Sequence, residues 1–597
     1  MRAFYHFSFK KAKMYEMTKD NIQKILEKVT GIKNPEVDFA SDSKFGDYSS
    51  NICLRNKDLD PQKIANEING KDLQFSAKVV GKFINFWLKK NILVDNLIQI
   101  EEKKGDYGKS EILTGQKYLI EHTSPNPNKA LHLGHLRNNV TGMAIANMWE
   151  FLGCNVTRDC IDNNRGIAIA KLMWGYLKYA NKDGKQDLDI NYWFNHQNEW
   201  QTSEELGVRP DKFVDDLYVK GSEDFKNSEI EAKVRQLVVD WEAEDKAVWA
   251  LWEKVLEYSY EGQNLTLKRL GNKWDKVWHE HEHYKKGKEF VQKGLKKGIF
   301  KVGEKGAIVT DLSKYNLPDT VVIKSDGTAL YITQDLSLTE LKKKTFNPDK
   351  IFWVIGPEQS LALKQMFAVC EQLGIIKYED CIHLAYGYMS LKGKVKMSSR
   401  EGTVIYIDDL LDEAKRKVNN ILQSSDFNDQ EKEIISEKVG IGAVKYSILK
   451  VSRLQDVSFD LKESISLEGN SGPYIQYTVA RCNSVVSKGR TLKPEYKVRN
   501  PKDLRVPNLE ELQEEELAIL RKLSQFTEII SIAAKSYSPN ILCEYLYSLA
   551  SKYNTFYNKH KIIKSENETF RILLTKGTGQ VLKNGLNLLG ISVPEKM

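Results

Sequence analysis

Between Lys117 and Ile161 the sequence passes through a strand pattern, a loop, a helix and a second strand pattern in about 45 residues. KYLIEHT (Lys117 to Thr123) reads as the first strand and CNVTRDCI (Cys154 to Ile161) as the second. Between them Leu136, Val140, Ala144 and Met148 recur four apart, with Gly153 as a helix stop. Two strands joined by a crossover helix form a βαβ unit, which implies a parallel sheet and an α/β fold.

The loop inside this unit, SPNPNKALHLGH, brings Lys129, His132, Gly134 and His135 to the start of the helix. Unpaired backbone N–H groups and the positive end of the helix dipole suit a phosphate there. Gly134 has no side chain, so a flat ring has room against the backbone. His132 and His135 project toward the same end of the strand–helix junction as donors, with Lys129 a mobile charge upstream. Such an arrangement stabilises charge developing on an α-phosphate as pyrophosphate leaves. Read alone, H-x-G-H is more often a capped helix with incidental histidines, and a metal site there lacks a third ligand.

Elsewhere Ile22, Ile25, Leu26 and Val29 have helical spacing, and FGDYSSN (Phe45 to Asn51) and the alternating run KVVGKFINFWL (Lys78 to Leu88) follow. Together they make a small α+β unit ending near residue 100. EEKKGDYGKSE from Glu101 reads as a linker. From about Lys171 to Lys305, Trp, Glu and Lys at helical spacing read as an insertion. Strand patterns return at TVVIKSDGTALYIT (Thr320 to Thr333) and KIFWVIG (Lys350 to Gly356), and from Ile405 nearly everything reads as helix. A chain of 597 residues is expected to hold about three or four domains.

With 41% hydrophobic and 28% charged residues the composition is that of a globular protein. No apolar run approaches the roughly 18 residues that span a bilayer. The opening MRAFYHFSFKKAKMYEM is basic and aromatic without an apolar core or a small-residue cleavage site; it reads as a targeting segment or as residues ahead of a start at Met14 or Met17. Seven scattered cysteines without a C-x-x-C pair point to a reducing cytoplasm, not to disulfides or a thiolate zinc site. Gly469 to Met597 holds 19 Lys and Arg against 12 Asp and Glu, so nearly all of the net charge of +8 lies in the last fifth of the chain. Either a polyanion is met there or the surface is merely basic and solvated.

Far downstream, KVKMSSREG (Lys394 to Gly402) combines lysine, two small hydroxyls, arginine and glycine, the chemistry of a loop closing over a triphosphate. HLGH followed by KMSS resembles the two signature motifs of class I aminoacyl-tRNA synthetases. EHTSPNPNKALHLGHLRN, NNRGIAIAKLMWGY, SDGTALYITQD, VIGPEQ and GNSGPYIQYTVAR resemble the arginyl-tRNA synthetase family in particular. The resemblance runs from about residue 40 to the last residue.

This resemblance implies a multidomain α/β fold, with a Rossmann-like parallel-sheet catalytic core, an N-terminal α+β domain and a C-terminal all-helical anticodon-binding domain. The expected divisions are residues 1–100 for the N-terminal domain that meets the tRNA elbow, 110–170 and 306–405 for the catalytic domain, and 171–305 for a mostly helical insertion. A helical connecting region at 406–468 and the anticodon-binding domain at 469–597 complete the chain. The implied activity joins L-arginine to its tRNA through arginyl adenylate, with ATP and Mg²⁺ carried by the nucleotide and no protein-held metal. His132, Gly134, His135, Lys129, Lys396, Ser398 and Ser399 are then catalytic, and Pro127 and Met397 join the nucleotide contacts. Arginine is expected to meet Glu121, Asn126, Tyr331, Asp335, Gln359 and Glu280. A guanidinium wants planar acidic acceptors, and Tyr331 and Asp335 lie four apart, on one face if a helix begins there. Asn85, Tyr474, Tyr477 and Arg481 are the expected tRNA contacts, with Tyr553, Phe556 and Tyr557 as further stacking aromatics. The family resemblance also makes the chain a cytoplasmic monomer without a membrane partner, and an acidic pocket needs no editing domain.

Three positions depart from the family pattern: Asn164 where an aspartate is common, Ala362 near a common histidine, and Gln334 for an arginine. HEHEH (His279 to His283) invites a zinc reading, although only i and i+4 share a helical face. Both Lys129 and Lys396 are present, where many members have one of the two. The rivals are a class I synthetase for cysteine or glutamate and a catalytically silent tRNA-binding paralogue. The missing thiolate site argues against cysteine, the acidic Asp335 against glutamate, and the intact HLGH and KMSS against the silent form.

Overall fold

The computed structural model describes residues 18–597 apart from 72, 185–188, 328–329, 393–404 and 493–507. The chain divides into two compact units, residues 111–417 with 447–461, and residues up to 110 with 418–446 and 462–597.

The first unit is built on a five-stranded sheet. In spatial order its strands are Cys381–His383, Lys350–Trp353, Lys117–Glu121, Asn155–Asp162 and Lys276–His279, and every pair is parallel. Leu119 and Ile120 are fully buried, as expected of a strand covered on both faces. The helix Leu133–Phe151 lies against the sheet, and its Trp149 ring packs on Tyr118 and Phe352 with centroids 5.2 and 4.4 Å away. The 117–121 strand has its successor in the chain on one side and the much later 350–353 strand on the other. Crossovers therefore leave it in both directions, and in open parallel sheets such a switch point opens a crevice beyond the carboxyl ends. The register sets Glu121 beside Asp159 and Trp353, and Asp162 beside His279.

The edge strand Lys276–His279 corrects one expectation, because it lies inside the stretch 171–305 read as a helical insertion. Four residues, KVWH, are too few to reveal alternation among lysines and tryptophans. The TVVIK pattern is the short strand Val321–Ile323, which belongs to a separate three-stranded antiparallel sheet. The helices between the two parts of the parallel sheet cross closely where backbone is bare. A Cβ on Gly175 would overlap the Leu217 carbonyl, one on Gly221 the Lys171 carbonyl, and one on Gly262 would collide with Asp211. These contacts join the helices Ile167–Tyr179, Pro210–Asp224 and Lys246–Arg269 around a core containing Trp193, Trp200, Trp241 and Trp252.

The second unit combines both ends of the chain. Its antiparallel sheet runs Asp38–Phe39, Tyr48–Ser50, Phe83–Leu88, Phe75–Val80. The run KVVGKFINFWL is thus not one strand; it turns back at Gly81, whose φ of +62° suits glycine. The charged stretch after Glu101 is no loose linker either: Tyr107 is buried, stacks on Phe526 with centroids 6.0 Å apart, and donates to the Leu523 carbonyl at 3.2 Å. Tyr48 donates to Glu528 Oε1 at 3.0 Å. The helices Thr18–Thr30, Pro61–Asn69 and Lys90–Lys103 accompany the sheet, and Gly472–Leu492, Glu514–Ser524, Phe526–Lys535, Pro539–Lys559 and Glu568–Leu588 follow at the other end of the chain. In the first unit, the strand Val457–Phe459, parallel to Met389–Leu391, interrupts the helical run expected after Ile405. All seven cysteines are buried and unbridged, and no described helix is long and apolar enough to cross a membrane.

The glycine crossing is testable. Gly221→Ala gains about 1 kcal/mol of helix propensity, yet it forces backbone against backbone and loses about 1–3 kcal/mol to overpacking. A lowered denaturation midpoint is expected, and an unchanged or raised one would show that the helices separate freely.

Candidate active site

The helix Leu133–Phe151 is capped by the histidines themselves. The Gly134 N–H donates to His132 Nδ1 at 3.2 Å, and the His132 N–H donates to His135 Nδ1, also at 3.2 Å. This reciprocal arrangement is a capping box made with imidazoles. The capped-helix reading and the phosphate reading are therefore compatible. With both Nδ1 atoms accepting, the proton of each neutral ring sits on Nε2. The rings stack with centroids 4.0 Å apart. Burial, and then the charge of Lys129, lower the His132 pKa to about 4. Burial, His132 and Lys129 push His135 well below the ordinary range. Both rings are neutral Nε2–H donors at neutral pH. The bare face of Gly134, expected to take a flat ligand ring, lies against His132: a Cβ there would come within 3.1 Å of that ring.

The loop ahead of the helix is held from several sides. Gln263, on the helix Lys246–Arg269, donates to the carbonyls of Asn126 and Lys129 at 3.2 and 2.9 Å. Asn126 is exposed and accepts from Asn163 at 3.2 Å, while Pro127 is buried. Burial lowers the Lys129 pKa against the opposing pull of Asp215. Asp215 in turn accepts from the Tyr406 hydroxyl at 2.7 Å. The backbone on either side of Tyr406 pairs with the motif: Leu133 N–H to Ile405 O at 3.3 Å, and Ile407 N–H to Leu131 O at 2.9 Å. Lys396, Met397, Ser398 and Ser399 lie outside the described residues, as does the side chain of Tyr331.

A cluster of carboxylates gathers at the carboxyl ends of the strands. Glu121 Oε2 accepts from Lys342 Nζ at 2.6 Å, and the same ammonium lies 2.8 Å from Asp159 Oδ2. Asp335 sits one turn into the helix Tyr331–Phe346. Burial first, then Glu121 and Glu280, raise its pKa to about 7 despite the opposing Lys342. Glu280 is buried 3.5 Å from the Arg165 guanidinium. Its pKa is raised by burial and restrained by Arg165 and a bond from Gln334. Arg165 lies 3.8 Å over the Tyr284 ring. Asn164 donates to His281 Nδ1 at 2.9 Å and accepts from the His281 N–H at 3.2 Å, a pairing for which an ionised aspartate has no donor. Gln359 is exposed in the short turn Pro357–Gln359 after the 350–353 strand. The structure thus brings Glu121, Asp335 and Glu280 together around Lys342, an arrangement suited to a cationic ligand.

Comparison with known proteins settles the family. A family model described as tRNA synthetases class I (R), catalytic domain, matches residues 96–461. An arginyl tRNA synthetase N terminal domain model matches 16–88, and a DALR anticodon binding domain model matches 475–597. The chain belongs to the arginyl-tRNA synthetase family. It is 35% identical over 556 residues to the arginine–tRNA ligase of Treponema denticola, covering 90% of both chains. It is 34% identical over 546 residues to that of Bacteroides thetaiotaomicron, covering 87% of both. The fold is that of the Thermus thermophilus arginyl-tRNA synthetase, with a TM-score of 0.77 at 24% identity over 97% of this chain and 99% of that one. The Plasmodium falciparum arginyl-tRNA synthetase gives 0.76 at 20% identity, over 98% and 100%. The cysteine and glutamate rivals fall with this assignment.

Among the expected tRNA contacts of this family member, Arg481 lies 4.8 Å from the Tyr477 ring centroid and 4.7 Å from that of Tyr557, which is 39% exposed. Tyr474 packs against Tyr547 at 5.7 Å. Tyr553 and Phe556 are fully buried; they are core residues, so the expectation that they stack on bases is corrected. Asn85 is only 3% exposed and accepts from Ser49 Oγ at 2.7 Å, so its carbonyl edge is taken inside the sheet. Sequence reasoning missed Asp159, Lys342 and Gln263. Asp159 carried a usable signal, a charge within a strand otherwise buried, but Lys342 is hidden in LKKKTF. No group of three His, Cys, Asp or Glu among the described residues is placed to hold a metal.

The histidine cap predicts an NMR signature. With histidine ¹⁵N-labelled, His132 and His135 should both show Nε2–H tautomers at pH 7, and His132 should remain neutral until the pH approaches about 4. An imidazolium signal from either ring at pH 6 would contradict the arrangement.

Proposed function

We propose that this chain activates L-arginine with ATP and transfers it to the 3′-terminal ribose of its cognate tRNA, using the residues just described. The observation that carries the assignment of roles is the acidic cluster beside the histidine-capped helix, with the Asp335 carboxyl held near 7 by burial and its acidic neighbours. In this reading the guanidinium lies against Asp335, with Tyr331 beside it and Glu280 nearby. Glu121, Asn126 and Gln359 take the amino-acid end. The arginine carboxylate oxygen attacks the α-phosphorus, the bond to the β-phosphate oxygen breaks, and pyrophosphate leaves. His132 and His135 donate from Nε2 to phosphate oxygens, Gly134 and Pro127 let the nucleotide approach, and Lys129 and Lys396 balance the developing charge with Ser398, Ser399 and Met397. A ribose hydroxyl then attacks the adenylate carbonyl, losing its proton as AMP departs. Positioning and electrostatics suffice, without a covalent enzyme intermediate.

Mg²⁺ arrives with the triphosphate and offsets its charge. The tRNA is the polyanion met by the basic C-terminal part, where the Tyr477–Arg481–Tyr557 stack offers flat cationic surface to bases, and the N-terminal domain meets the elbow. Seven buried thiols favour a reducing cytoplasm. The chain acts as a monomer.

Arginine-dependent ATP–pyrophosphate exchange, run with and without the tRNA, tests the reading; absence of exchange under both conditions while tRNA still binds would overturn it. His132→Ala should lower exchange by about 10²–10³-fold, the usual loss for one donor to developing charge. The pH dependence has a definite sign. Asp335 takes up a proton near pH 7 in the empty site, whereas the guanidinium favours the carboxylate. Arginine affinity should therefore weaken about tenfold per pH unit below 7 and level off above it. Titration calorimetry from pH 6 to 8 measures this, and Asp335→Asn should raise the arginine KM at least about 100-fold and abolish the slope.

A further inference from the structure

The reaction as derived makes no use of Lys342, yet this lysine is buried in the acidic cluster at 1% exposure. It lies seven residues after Asp335 on the helix Tyr331–Phe346. Two turns of helix bring such positions back to one face, about 10 Å apart along the axis. Its ammonium donates to Glu121 Oε2 at 2.6 Å and lies 2.8 Å from Asp159 Oδ2. Those two carboxylates are neighbours because the sheet register pairs Glu121 with Asp159, on strands about 4.8 Å apart.

Two buried carboxylates that close cannot both stay ionised without a cation between them. Burial by itself would lower the Lys342 pKa, but Asp159 and Glu121 outweigh it and hold the ammonium charged. Asp159 is further fixed by Trp278 Nε1 at 2.8 Å. His283, buried beside the lysine, is held neutral, its pKa lowered to about 4 mainly by burial. The charged groups facing Lys342 are thus the carboxylates. If the lysine only neutralised Asp159 its role would be structural. Its bond to Glu121 argues for more, because Glu121 is the last residue of the strand that leads into the histidine motif.

We propose that Lys342 is a positioning residue for arginine: anchored by Asp159, it holds the Glu121 carboxylate by one oxygen in the orientation that receives the substrate. This rests on the reading that Glu121 binds arginine. Because Lys342 acts through Glu121, its removal acts on the arginine KM and leaves the ATP KM and the saturated rate nearly unchanged.

Lys342→Met alone leaves two acids facing each other and is liable not to fold. The decisive variant is Lys342→Met combined with Asp159→Asn, which keeps the net charge of the cluster and leaves no second acid facing Glu121. In tRNA-charging assays on the full chain, this double variant should keep a denaturation midpoint near that of the parent. Its arginine KM should rise at least tenfold, with the ATP KM within about twofold. A folded double variant whose arginine KM stays within twofold of the parent overturns the positioning role and leaves Lys342 a structural counter-ion. Glu121→Gln is measured alongside. If it raises the arginine KM while the double variant does not, only the Lys342 proposal fails; if it has no effect, the assignment of Glu121 to arginine fails and the proposal with it.

Discussion

The first two turns of the helix Leu133–Phe151 are the fixed point of the catalytic unit, because Arg137 and Asn138 there bond backbone brought from elsewhere and Asn139 bonds distant side chains. Arg137 is buried and donates to the carbonyls of Ile448, Ser452, Arg453 and Gln455 at 3.0–3.3 Å. Asn138 donates to the Val354 carbonyl at 2.6 Å and accepts from the Thr123 N–H at 2.8 Å. Asn139 reaches Asn272 at 2.7 Å. Thr123 has φ +55°, a left-handed conformation that a β-branched residue adopts only when its surroundings impose it. The motif HLGHLRNN thus does two things with consecutive residues. Its histidines close the helix end and set their own tautomers, and its arginine and asparagines fasten that end to the 350–353 strand and to the 448–455 segment.

With the helix end immobile, charge can be buried around it. Glu121, Asp159, Asp335 and Glu280 face Lys342 and Arg165, so the empty cluster holds more acid than base. Replacing such groups with apolar ones would usually stabilise a protein; under the proposed function the imbalance is what a cationic substrate relieves. Asp335 records it. Its raised pKa means that the folded, empty protein binds a proton more tightly than the unfolded chain, so between the ordinary carboxylate range and about 7 folding is favoured as pH falls. At neutral pH the site is held partly against its own preference by the framework around it, which is how a preorganised binding site is built.

How much of this was legible in the sequence follows the range of each interaction. The βαβ unit, the histidine motif and the helix start at Tyr331 depend on residues within a turn or a strand of one another, and their spacing exposed them. Lys342 and Asp159 are 183 positions apart in the chain and meet only through the tertiary fold, which local pattern does not encode. The edge strand Lys276–His279 is defined by its neighbour and not by its own alternation. The stretch after Glu101 looked solvated because its charges are dense, but Tyr107 within it anchors against Phe526. Tyr553 and Phe556 carried the same composition signal as Tyr557, and only packing separates core from surface.

The distinction between an enzyme and a silent tRNA-binding relative turns on the same physics. A scaffold that only bound tRNA would need basic surface and stacking rings, which the Arg481 region supplies by itself. It would have no use for an acidic cluster that repels a polyanion and destabilises the fold at neutral pH. Nor would it need two half-buried imidazoles whose protons are fixed on Nε2 at a helix start, where a serine or aspartate caps at least as well. Both features lose stability that a binding module could keep, and the proposed reading, with a guanidinium at the carboxylates and a triphosphate at the histidines, accounts for both. Neutral donors at the helix start and excess carboxylate at the strand ends therefore favour an enzyme over a scaffold, in agreement with the family to which the sequence belongs.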